Sequence, residues 1–396
     1  MYGRRSARGS GGSRSGGAGA ALDATPLTVA RVSGQFPHGP VDPEGTLVDL
    51  SDRPMMCMST DVARGMAVIG SSDHALYEVR LSDGAATRTL YTKRYGHSEW
   101  VTCVAHLADG RVVSGAMDSK LCLWNGGGST STARCDELLG HFGSVSCVTT
   151  YGDAIVSGGY DKTVRLWSST TKKELQSMTA HKAPVLCMAP SPSFDESGRP
   201  AGFHVVSGDR DGMGYVFDMV SGKTIGRLKG HSGHLTSVAW VEAGGTWLTV
   251  TGAQDGHVRL WDVRAKAQVA NVEVHVGESG AGAVSDMAAT ASSATGGVSY
   301  LVTSGADKCI NVLDPRAGWA PLHTMTEHKD FIYTLKVAGG LCFTGAGDGL
   351  LIAHDVQSGE PLWGLGANAA AVRGIGVTPD RLIATGDDGN ALVYQF

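Results

Sequence analysis

The stretch that decides the fold reads Gly-His at 140–141, Ser-Gly-Gly-Tyr-Asp at 157–161 and Val-Arg-Leu-Trp at 164–167. The apolar residues after Asp161 alternate with a period of two, which is typical of a half-buried strand. The Asp-Lys pair before this run is typical of a tight hairpin turn. The stretch therefore predicts a tight turn followed by a strand.

The pattern of a small residue, a glycine and an aspartate recurs eight times along the 396 residues. Its aspartates, spaced 40 to 52 residues apart, are Asp73, Asp118, Asp161, Asp211, Asp255, Asp307, Asp348 and Asp388. A histidine precedes most of them, namely His97, His141, His181, His231, His275 and His328. A period in the forties with strand patterning predicts an architecture of repeated β units.

These residues resemble the WD40 repeat family, most closely in Gly-His … Leu-Trp-Asp at 230–262. The resemblance covers residues 45–396 and implies an all-β fold, an eight-bladed WD40 β-propeller, with seven blades as the alternative if one copy is misassigned. Residues 1–44 are expected to be a flexible tail and linker rich in Gly, Ser and Arg.

Counting from the aspartates predicts how the ring closes. The chain ends eight residues after Asp388, which leaves the last sheet one strand short and its edge bare. Leu322 and Leu362 each lie 26 residues before the next aspartate, and Leu47 lies 26 before Asp73. We therefore expect an N-terminal strand at residues 46–50 to complete the last blade.

The resemblance also implies a hydrogen-bonded set of four side chains within each well-matched blade. It falls on three sets: His97, Ser114, Asp118 and Trp124; His141, Ser157, Asp161 and Trp167; His231, Thr251, Asp255 and Trp261. Other blades depart from the pattern, with Phe217, Leu313, His354 and Tyr394 at the Trp position and Asn368 at the last His position. We expect those blades to be looser.

Neither catalysis nor a cofactor is indicated. Ser157, His141 and Asp161 match a hydrolase triad by residue type, but the same set recurs in several blades, whereas nucleophilic catalysis needs one exposed pocket. The glycine-rich run at 364–369 has no helix pattern after it, so it does not predict a nucleotide site. The cysteines lack zinc-binding spacing, so we expect no metal.

Four of the eight cysteines recur at one position of the repeat: Cys57, Cys103, Cys147 and Cys187. They are expected to be buried free thiols that pack as small hydrophobic side chains. Free thiols suit a reducing compartment, so we expect a cytoplasmic protein, with a ciliary or nuclear location as alternatives.

The first 21 residues contain four arginines, no acid and no long apolar run, which argues against a secretion signal. A flexible tail is expected, with a transit peptide or a weakly RNA-binding tail as alternatives. The chain has no run of about 18 apolar residues, so no membrane span is expected. The net charge of −5 argues against a body that grips nucleic acid.

The loop after each histidine and the residue before each aspartate should share one face, by analogy with the family. This face holds Trp100, Phe142, His234, Phe331, Met117, Tyr160, Arg210 and Gln254. Aromatic residues, Met and Arg are enriched where proteins bind each other. We expect a scaffold subunit of a multiprotein complex that binds proteins or peptides there and takes no small-molecule substrate.

Three alternative functions remain. Trp261, Asp262 and Arg264 fit the WDxR box of propellers that resemble substrate receptors of cullin-RING ubiquitin ligases, and Asp314-Pro-Arg316 is a partial second copy. Family resemblance also allows a structural component of a ciliary axoneme or of an RNA-processing complex, and a propeller enzyme. Two insertions, at 190–203 and 277–299, are expected to be surface loops, either of which could dock a partner.

Overall fold

A computed structural model describes residues 31–126, 133–192, 203–277 and 280–396. The predicted tail at 1–21, most of the predicted loop at 190–203 and two residues of the predicted loop at 277–299 lie outside these ranges. The prediction that 277–299 is one surface loop is wrong, because a strand with the buried residue Val284 spans Val284–Ala289. Within the described part of the chain, no helix is long and apolar enough to cross a membrane.

The first four sheets follow one another along the chain, each formed by four consecutive antiparallel strands. Blade 1 consists of β2 (Met55–Asp61), β3 (Met66–Ser71), β4 (Leu76–Arg80) and β5 (Ala85–Leu90); blade 2 of β6 (Val101–His106), β7 (Val112–Ala116), β8 (Lys120–Trp124) and β9 (Cys135–Leu139); blade 3 of β10 (Val145–Tyr151), β11 (Ala154–Gly159), β12 (Val164–Ser168) and β13 (Lys173–Met178); blade 4 of β14 (Val185–Pro190), β15 (His204–Asp209), β16 (Met213–Asp218) and β17 (Lys223–Lys229).

The second half of the chain continues in the same way. Blade 5 consists of β18 (Leu235–Ala243), β19 (Thr246–Ala253), β20 (His257–Asp262) and β21 (Ala267–Glu273); blade 6 of β24 (Val284–Ala289), β25 (Leu301–Gly305), β26 (Ile310–Asp314) and β27 (Ala320–Met325); blade 7 of β28 (Ile332–Ala338), β29 (Leu341–Ala346), β30 (Leu350–Asp355) and β31 (Pro361–Gly366); blade 8 of β32 (Val372–Val377), β33 (Arg381–Gly386), β34 (Asn390–Gln395) and β1 (Thr46–Asp49). A small hairpin, β22 (Val276–Gly277) with β23 (Gly280–Ala281), precedes blade 6, and short 3-10 helices span Phe36–His38, Ser292–Ala294 and Pro315–Ala317.

The eight sheets form a ring. The first strand of each of blades 1 to 7 contacts the first strand of the next blade, and β32 of blade 8 contacts β2 of blade 1. The fold is therefore an all-β, eight-bladed propeller, and the seven-blade alternative is wrong. Apolar side chains fill the spaces between neighbouring sheets, as the cluster between blades 2 and 3 that contains Leu123, Ile155 and Trp167 shows.

The eighth sheet contains strands from two distant parts of the chain. β1 pairs antiparallel with β34, so that Leu47 lies opposite Leu392 and Asp49 opposite Asn390. β1 is the outer strand of this sheet, and it covers the edge that β34 would otherwise expose.

The segment before β1 is packed on the propeller. The Phe36 side chain is fully buried, stacks on Phe396 with 3.9 Å between ring centroids, and meets Phe343 edge to face. The carbonyl oxygen of Phe36 accepts a hydrogen bond of 2.6 Å from the indole of Trp363. The boundary drawn between residues 44 and 45 therefore does not separate a linker from the propeller, because residues 31–44 contact blades 7 and 8.

The glycine of the repeated motif lets neighbouring blades approach closely. A Cβ atom on Gly158 would lie 2.8 Å from Val185 of blade 4 and 2.9 Å from the Cys147 sulfur. A Cβ atom on Gly70, Gly115 or Gly208 would likewise contact a cysteine sulfur and a side chain of the next blade. The repeated cysteines therefore fill the space beside these glycines, and burial raises the pKa of Cys57 to about 12 and of Cys147 to about 11.

The residue after each motif aspartate adopts a left-handed backbone conformation. Glycine occupies this position in blades 4, 5, 7 and 8, with φ between 76° and 79° at Gly212, Gly256, Gly349 and Gly389. Non-glycine residues occupy it elsewhere, for example Lys162 with φ of 68°. The Asp-Gly and Asp-Lys pairs are thus the hairpin turns between the second and third strands.

Six of the eight outer strands carry a β-bulge. The pairing of the third and fourth strands shifts by one residue in blades 1, 3, 4, 5, 6 and 7. The extra residue is aliphatic in blades 3 to 7, where the series is Leu175, Ile225, Val269, Leu322 and Leu362. β9 of blade 2 and β1 of blade 8 pair without a shift.

Candidate functional site

The four side chains singled out in blade 3 form one hydrogen-bonded network. Asp161 lies in the turn after β11, and its two carboxylate oxygens are 2.9 and 3.0 Å from His141 Nδ1. His141 Nε2 is 2.7 Å from Ser157 Oγ, which also accepts a 2.8 Å bond from Trp167 Nε1. The backbone N–H of Phe142 and the Thr163 hydroxyl donate to Asp161 as well. The network ties the loop before the blade to its second and third strands.

Blades 2 and 5 contain the same network. The distances from histidine Nδ1 to the nearer carboxylate oxygen are 3.1 Å for His97 and Asp118 and 3.0 Å for His231 and Asp255. The hydroxyls of Ser114 and Thr251 each bridge the histidine Nε2 and the tryptophan of their blade at 2.8 to 2.9 Å. The structure thus brings together all twelve side chains in three groups of four.

The motif aspartate of blade 4 was assigned wrongly. Asp211 is exposed, and it is Asp209 that accepts a 2.8 Å hydrogen bond from His181 Nδ1. Asp209 occupies the position of Gly159 in blade 3, where a Cβ atom would lie 3.1 Å from His141 Nδ1. A carboxylate placed there reaches the histidine directly, so the aspartate two residues later is not needed.

Blade 6 keeps most of the network without its tryptophan. His275 Nδ1 is 2.8 Å from Asp307 and His275 Nε2 is 3.0 Å from Thr303, although Leu313 replaces the tryptophan. His181 and Ser207 in blade 4 are joined in the same way, at 2.7 Å. Neither set has the tryptophan of the full motif, although the histidine, the hydroxyl and the carboxylate of each are present in the sequence.

Three blades depart further. In blade 7, His328 bonds to Thr344, while His354 at the tryptophan position bonds to Glu327 at 3.0 Å. In blade 8, the Asn368 amide donates to Asp388 at 2.8 Å. In blade 1, Asp73 accepts from the hydroxyls of Ser51 and Tyr77 instead of a histidine. The aspartate turn is therefore kept where its usual partner is absent.

The network aspartates are held as carboxylates. Burial alone would raise the pKa of Asp161, but the hydrogen bonds from His141, Phe142 N–H and Thr163 outweigh it and hold the pKa far below its ordinary value. The pKa values of Asp118, Asp255 and Asp307 are lowered by the same competition. Three histidines, in contrast, are held in the neutral form, because burial lowers the pKa of His231, His328 and His354.

We expect the stability of the protein to fall as the pH drops from about 6.5 toward 4. Burial lowers the pKa of His106 to about 4, against about 6.5 in an unfolded chain, so the unfolded state binds more protons across this window. Asp61, which faces His106, raises its pKa and Arg64 lowers it, but burial has the largest effect. His106 alone should contribute a loss of about 2 kcal/mol between pH 7 and 5.

Urea unfolding at pH 7.5, 6 and 5 measures this dependence, and His106→Gln should reduce its slope. Equal free energies of unfolding at the three pH values would show that the buried histidines are not held neutral. Below about pH 4 the protonation of Asp161 and its equivalents should remove further stability, since their lowered pKa stabilises the fold only above the unfolded value.

The chemistry of the networks is structural. Ser157 and Ser114 are fully buried, and each hydroxyl is bonded to both its histidine and its tryptophan. A substrate therefore has no access to either oxygen. Over the described ranges, no three His, Cys, Asp or Glu side chains are grouped so that they could hold a metal ion.

The eight predicted partner-binding residues lie at one end of the sheets. In each blade the residue before the motif aspartate position donates its N–H to the carbonyl just before the first strand, as Met117 does to Trp100 and Gln254 to His234. Tyr160 and Arg210 donate in the same way to residues 144 and 184, and Phe331 accepts from residue 347. The backbone thus fixes these loops at the level of the aspartate turns.

The exposed apolar members of this set lie on blades 2 and 3. Trp100, Met117, Phe142 and Tyr160, which we call the aromatic arc, are 46%, 44%, 89% and 48% exposed. The Ser144 hydroxyl donates to the Met117 carbonyl and the Ser144 carbonyl accepts from Tyr160, so the loops of the two blades are joined. Arg210 and Gln254 are exposed polar residues, whereas His234 and Phe331 are partly buried.

The residues of the predicted ligase box lie at the opposite end of blade 5. Trp261 belongs to the buried network, and Asp262 ends β20, whose other end follows the Asp255 turn. Arg264 is exposed, and its guanidinium donates to the Thr246 hydroxyl at 3.2 Å. Arg316, in the partial copy, is paired with Asp314 at 2.7 Å.

Comparisons with known proteins agree with this architecture. A family model described as "WD domain, G-beta repeat" matches residues 88–125, 133–168, 172–218 and 222–262. Telomerase protein component 1 of Mus musculus is 28% identical over 215 residues, which cover 54% of this chain and 8% of that protein. The guanine nucleotide-binding protein subunit beta of Arabidopsis thaliana is 26% identical over 232 residues, covering 55% of this chain and 57% of that protein.

Among solved structures, Saccharomyces cerevisiae Sqt1 superposes with a TM-score of 0.76 at 14% identity, over 89% of this chain and 99% of that chain. This likeness concerns the fold. The matched part of this chain spans a small fraction of the mouse protein and little more than half of the plant protein.

Proposed function

Because the chain belongs to the WD40-repeat family of β-propellers, we propose that it is a non-catalytic scaffold subunit that binds partner proteins or peptides through the aromatic arc. The single observation that carries this proposal is the exposure of four large apolar side chains on the loops of two neighbouring blades, which the bond from the Ser144 hydroxyl to the Met117 carbonyl joins. Large exposed apolar clusters on a folded protein mark interaction sites more often than chance.

The arc has the features of a binding hot spot. Phe142 projects almost entirely into solvent, and the Arg165 guanidinium lies 5.8 Å from the centre of its ring. Trp, Tyr and Arg are the residue types that dominate binding energies at protein interfaces. The loops are held by hydrogen bonds before any partner arrives, so association orders few groups.

The names of relatives support membership of an assembly. One is a telomerase protein component, one a guanine nucleotide-binding protein subunit, and one the 40 kDa protein of the U5 small nuclear ribonucleoprotein of Dictyostelium discoideum. A subunit role, in the cytoplasm, is accordingly our proposal for this chain, and a ciliary or nuclear location is the alternative.

A loss-of-binding experiment tests the arc. We expect Phe142→Ser combined with Tyr160→Ser to reduce the affinity for a partner by at least about 100-fold, since truncating a hot-spot residue costs about 2 kcal/mol or more. Partners captured by the full chain would be identified by quantitative mass spectrometry, and one purified partner would then be titrated by calorimetry against the wild type and the variant.

The matched control is Leu175→Ser with Val269→Ser, which removes two exposed apolar side chains from the outer strands. The control should bind as the wild type does. If the arc variant keeps full affinity while its thermal unfolding is unchanged, or if the control loses as much, partners do not bind at the arc.

The alternative function as a ligase substrate receptor uses a different surface, so a separate variant can test it. The exposed Arg264 lies at the other end of blade 5, so Arg264→Ala leaves the arc intact. A cullin adaptor that is captured by the wild type and lost with Arg264→Ala would favour this second function.

A further inference from the structure

Two cysteines of blade 2 lie beside each other on neighbouring strands. Cys122 is in β8 and Cys135 is the first residue of β9. In the pairing of these strands Trp124 lies opposite Cys135 and Cys122 opposite Glu137, so the two cysteines share one face of the sheet as diagonal neighbours. Cys122 is fully buried and Cys135, which packs against the same apolar cluster, is partly exposed.

Side chains at this register position touch in other blades. In blade 3, Arg165 and Glu174 have the same positions relative to the network tryptophan, and their charged groups are 2.5 Å apart, although a β-bulge lies between them there and none lies between Cys122 and Cys135. In blade 5, Arg259 donates to Gln268 at 3.2 Å. The third strand is thus fastened to the outer strand here by a side-chain pair, and in blade 2 that pair is two thiols.

We propose that Cys122 and Cys135 are a redox site, in which the two thiols are reversibly converted to a disulfide by a small disulfide such as oxidised glutathione. The bond would fasten β9 to β8 at the place where blade 3 has its ion pair. This inference is independent of the aromatic arc.

The reaction balances as a thiol–disulfide exchange. The Cys135 thiolate attacks one sulfur of oxidised glutathione, and one glutathione leaves as a thiolate. That thiolate takes the proton of Cys122. The Cys122 sulfur then attacks Cys135 and displaces the second glutathione, so two electrons pass from the protein to glutathione.

The other six thiols are poorer reactants. Burial raises the pKa of Cys57, Cys103, Cys147, Cys187 and Cys342, and burial also raises that of the partly exposed Cys309. A hydrogen bond from Cys122 lowers the pKa of Cys135, which makes Cys135 the thiol that starts the exchange. The same hydrogen bond, together with burial, raises the pKa of Cys122. Cys122 is therefore the resolving thiol.

The geometry predicts that the disulfide is easily reduced. Diagonal neighbours in a sheet are about 7–8 Å apart, slightly beyond the Cα separation that most disulfides accept. Closing the bond requires a small shift of Cys135 at the start of β9. A bond formed with strain is more oxidising than a structural disulfide, which suits reversal by reduced glutathione.

Mass spectrometry of the full chain tests the site. The reduced protein would be equilibrated with oxidised and reduced glutathione at several ratios, quenched with acid, alkylated and digested. We expect the intact mass to fall by about 2 Da as one disulfide forms, and the digest to contain a cross-linked peptide pair that joins Cys122 to Cys135. Excess reduced glutathione should return both cysteines to the thiol form.

Two single variants are matched controls. Cys309→Ser removes a partly exposed thiol that has no cysteine neighbour on its sheet and should leave the cross-link unchanged, whereas Cys135→Ser should abolish it. The site does not exist if Cys122 and Cys135 are both alkylated at every glutathione ratio, or if the cross-link joins other cysteines. Since the wild-type protein gives this result by itself, the test does not depend on a variant that folds.

Discussion

Deletion of residues 1–50 should make the protein aggregate. The deletion removes β1, so the row of backbone donors and acceptors on β34 that pairs with β1 becomes an open sheet edge. It also removes Phe36, and replacing one buried Phe by Ala typically costs about 3–5 kcal/mol. Light scattering and size-exclusion chromatography after expression of the deleted chain measure the outcome.

Two further variants separate the contribution of β1 from that of Phe36. Deletion of residues 1–21 should leave solubility and unfolding temperature unchanged, because none of the contacts described for β1 or Phe36 involves them. Phe36→Ala in the full chain should lower stability but keep β1 paired and the protein soluble. If deletions 1–21 and 1–50 are equally soluble, the pairing of β1 with β34 does not maintain the ring.

Asp161→Ala should lower the free energy of unfolding by about 2–4 kcal/mol. The substitution leaves His141 Nδ1, the Phe142 N–H and the Thr163 hydroxyl without the acceptor they share. Buried donors that lose their partner bear the full cost of having left water. Chemical denaturation monitored by tryptophan fluorescence measures the change, and an unchanged midpoint would contradict the network.

Blade 4 supplies a control that distinguishes the network from the turn. Asp209→Ala should destabilise the protein as Asp161→Ala does, since Asp209 is 1% exposed and accepts from His181 and from two backbone N–H groups. Asp211→Ala should change stability by no more than about 0.5 kcal/mol, because Asp211 is exposed. The reverse order of these two effects would restore the assignment made from spacing.

The sequence predicted the parts of the fold that depend on local periodicity. The alternation after Asp161 and its equivalents predicted strands, and eight aspartates predicted eight blades. The spacing of Leu47 from Asp73 predicted a strand at 46–50, and the structure has one at Thr46–Asp49. These features repeat, so an error in one copy is visible against the others.

Features that occur once were harder to predict. Asp209 replaces Asp211 because its Cβ points at the histidine, and this depends on the direction of a side chain rather than on spacing. Phe36 lies outside every repeat and contacts residues more than 300 positions away, Phe343 and Phe396. Which loop side chains are exposed also depends on local contacts: His234 bonds to the Arg210 carbonyl of blade 4, Phe331 packs on Tyr333, and both are partly buried.

The bulges in the outer strands limit where a strand of another molecule can pair with the propeller. A bulge breaks the even spacing of N–H and C=O groups, so an incoming extended segment cannot extend the sheet in register across it. Blades 1 and 3 to 7 are interrupted in this way, and only β9 and β1 have an unbroken ladder. Strand addition from outside, whether by a peptide ligand or by a misfolded neighbour, is therefore confined to two of the eight sides.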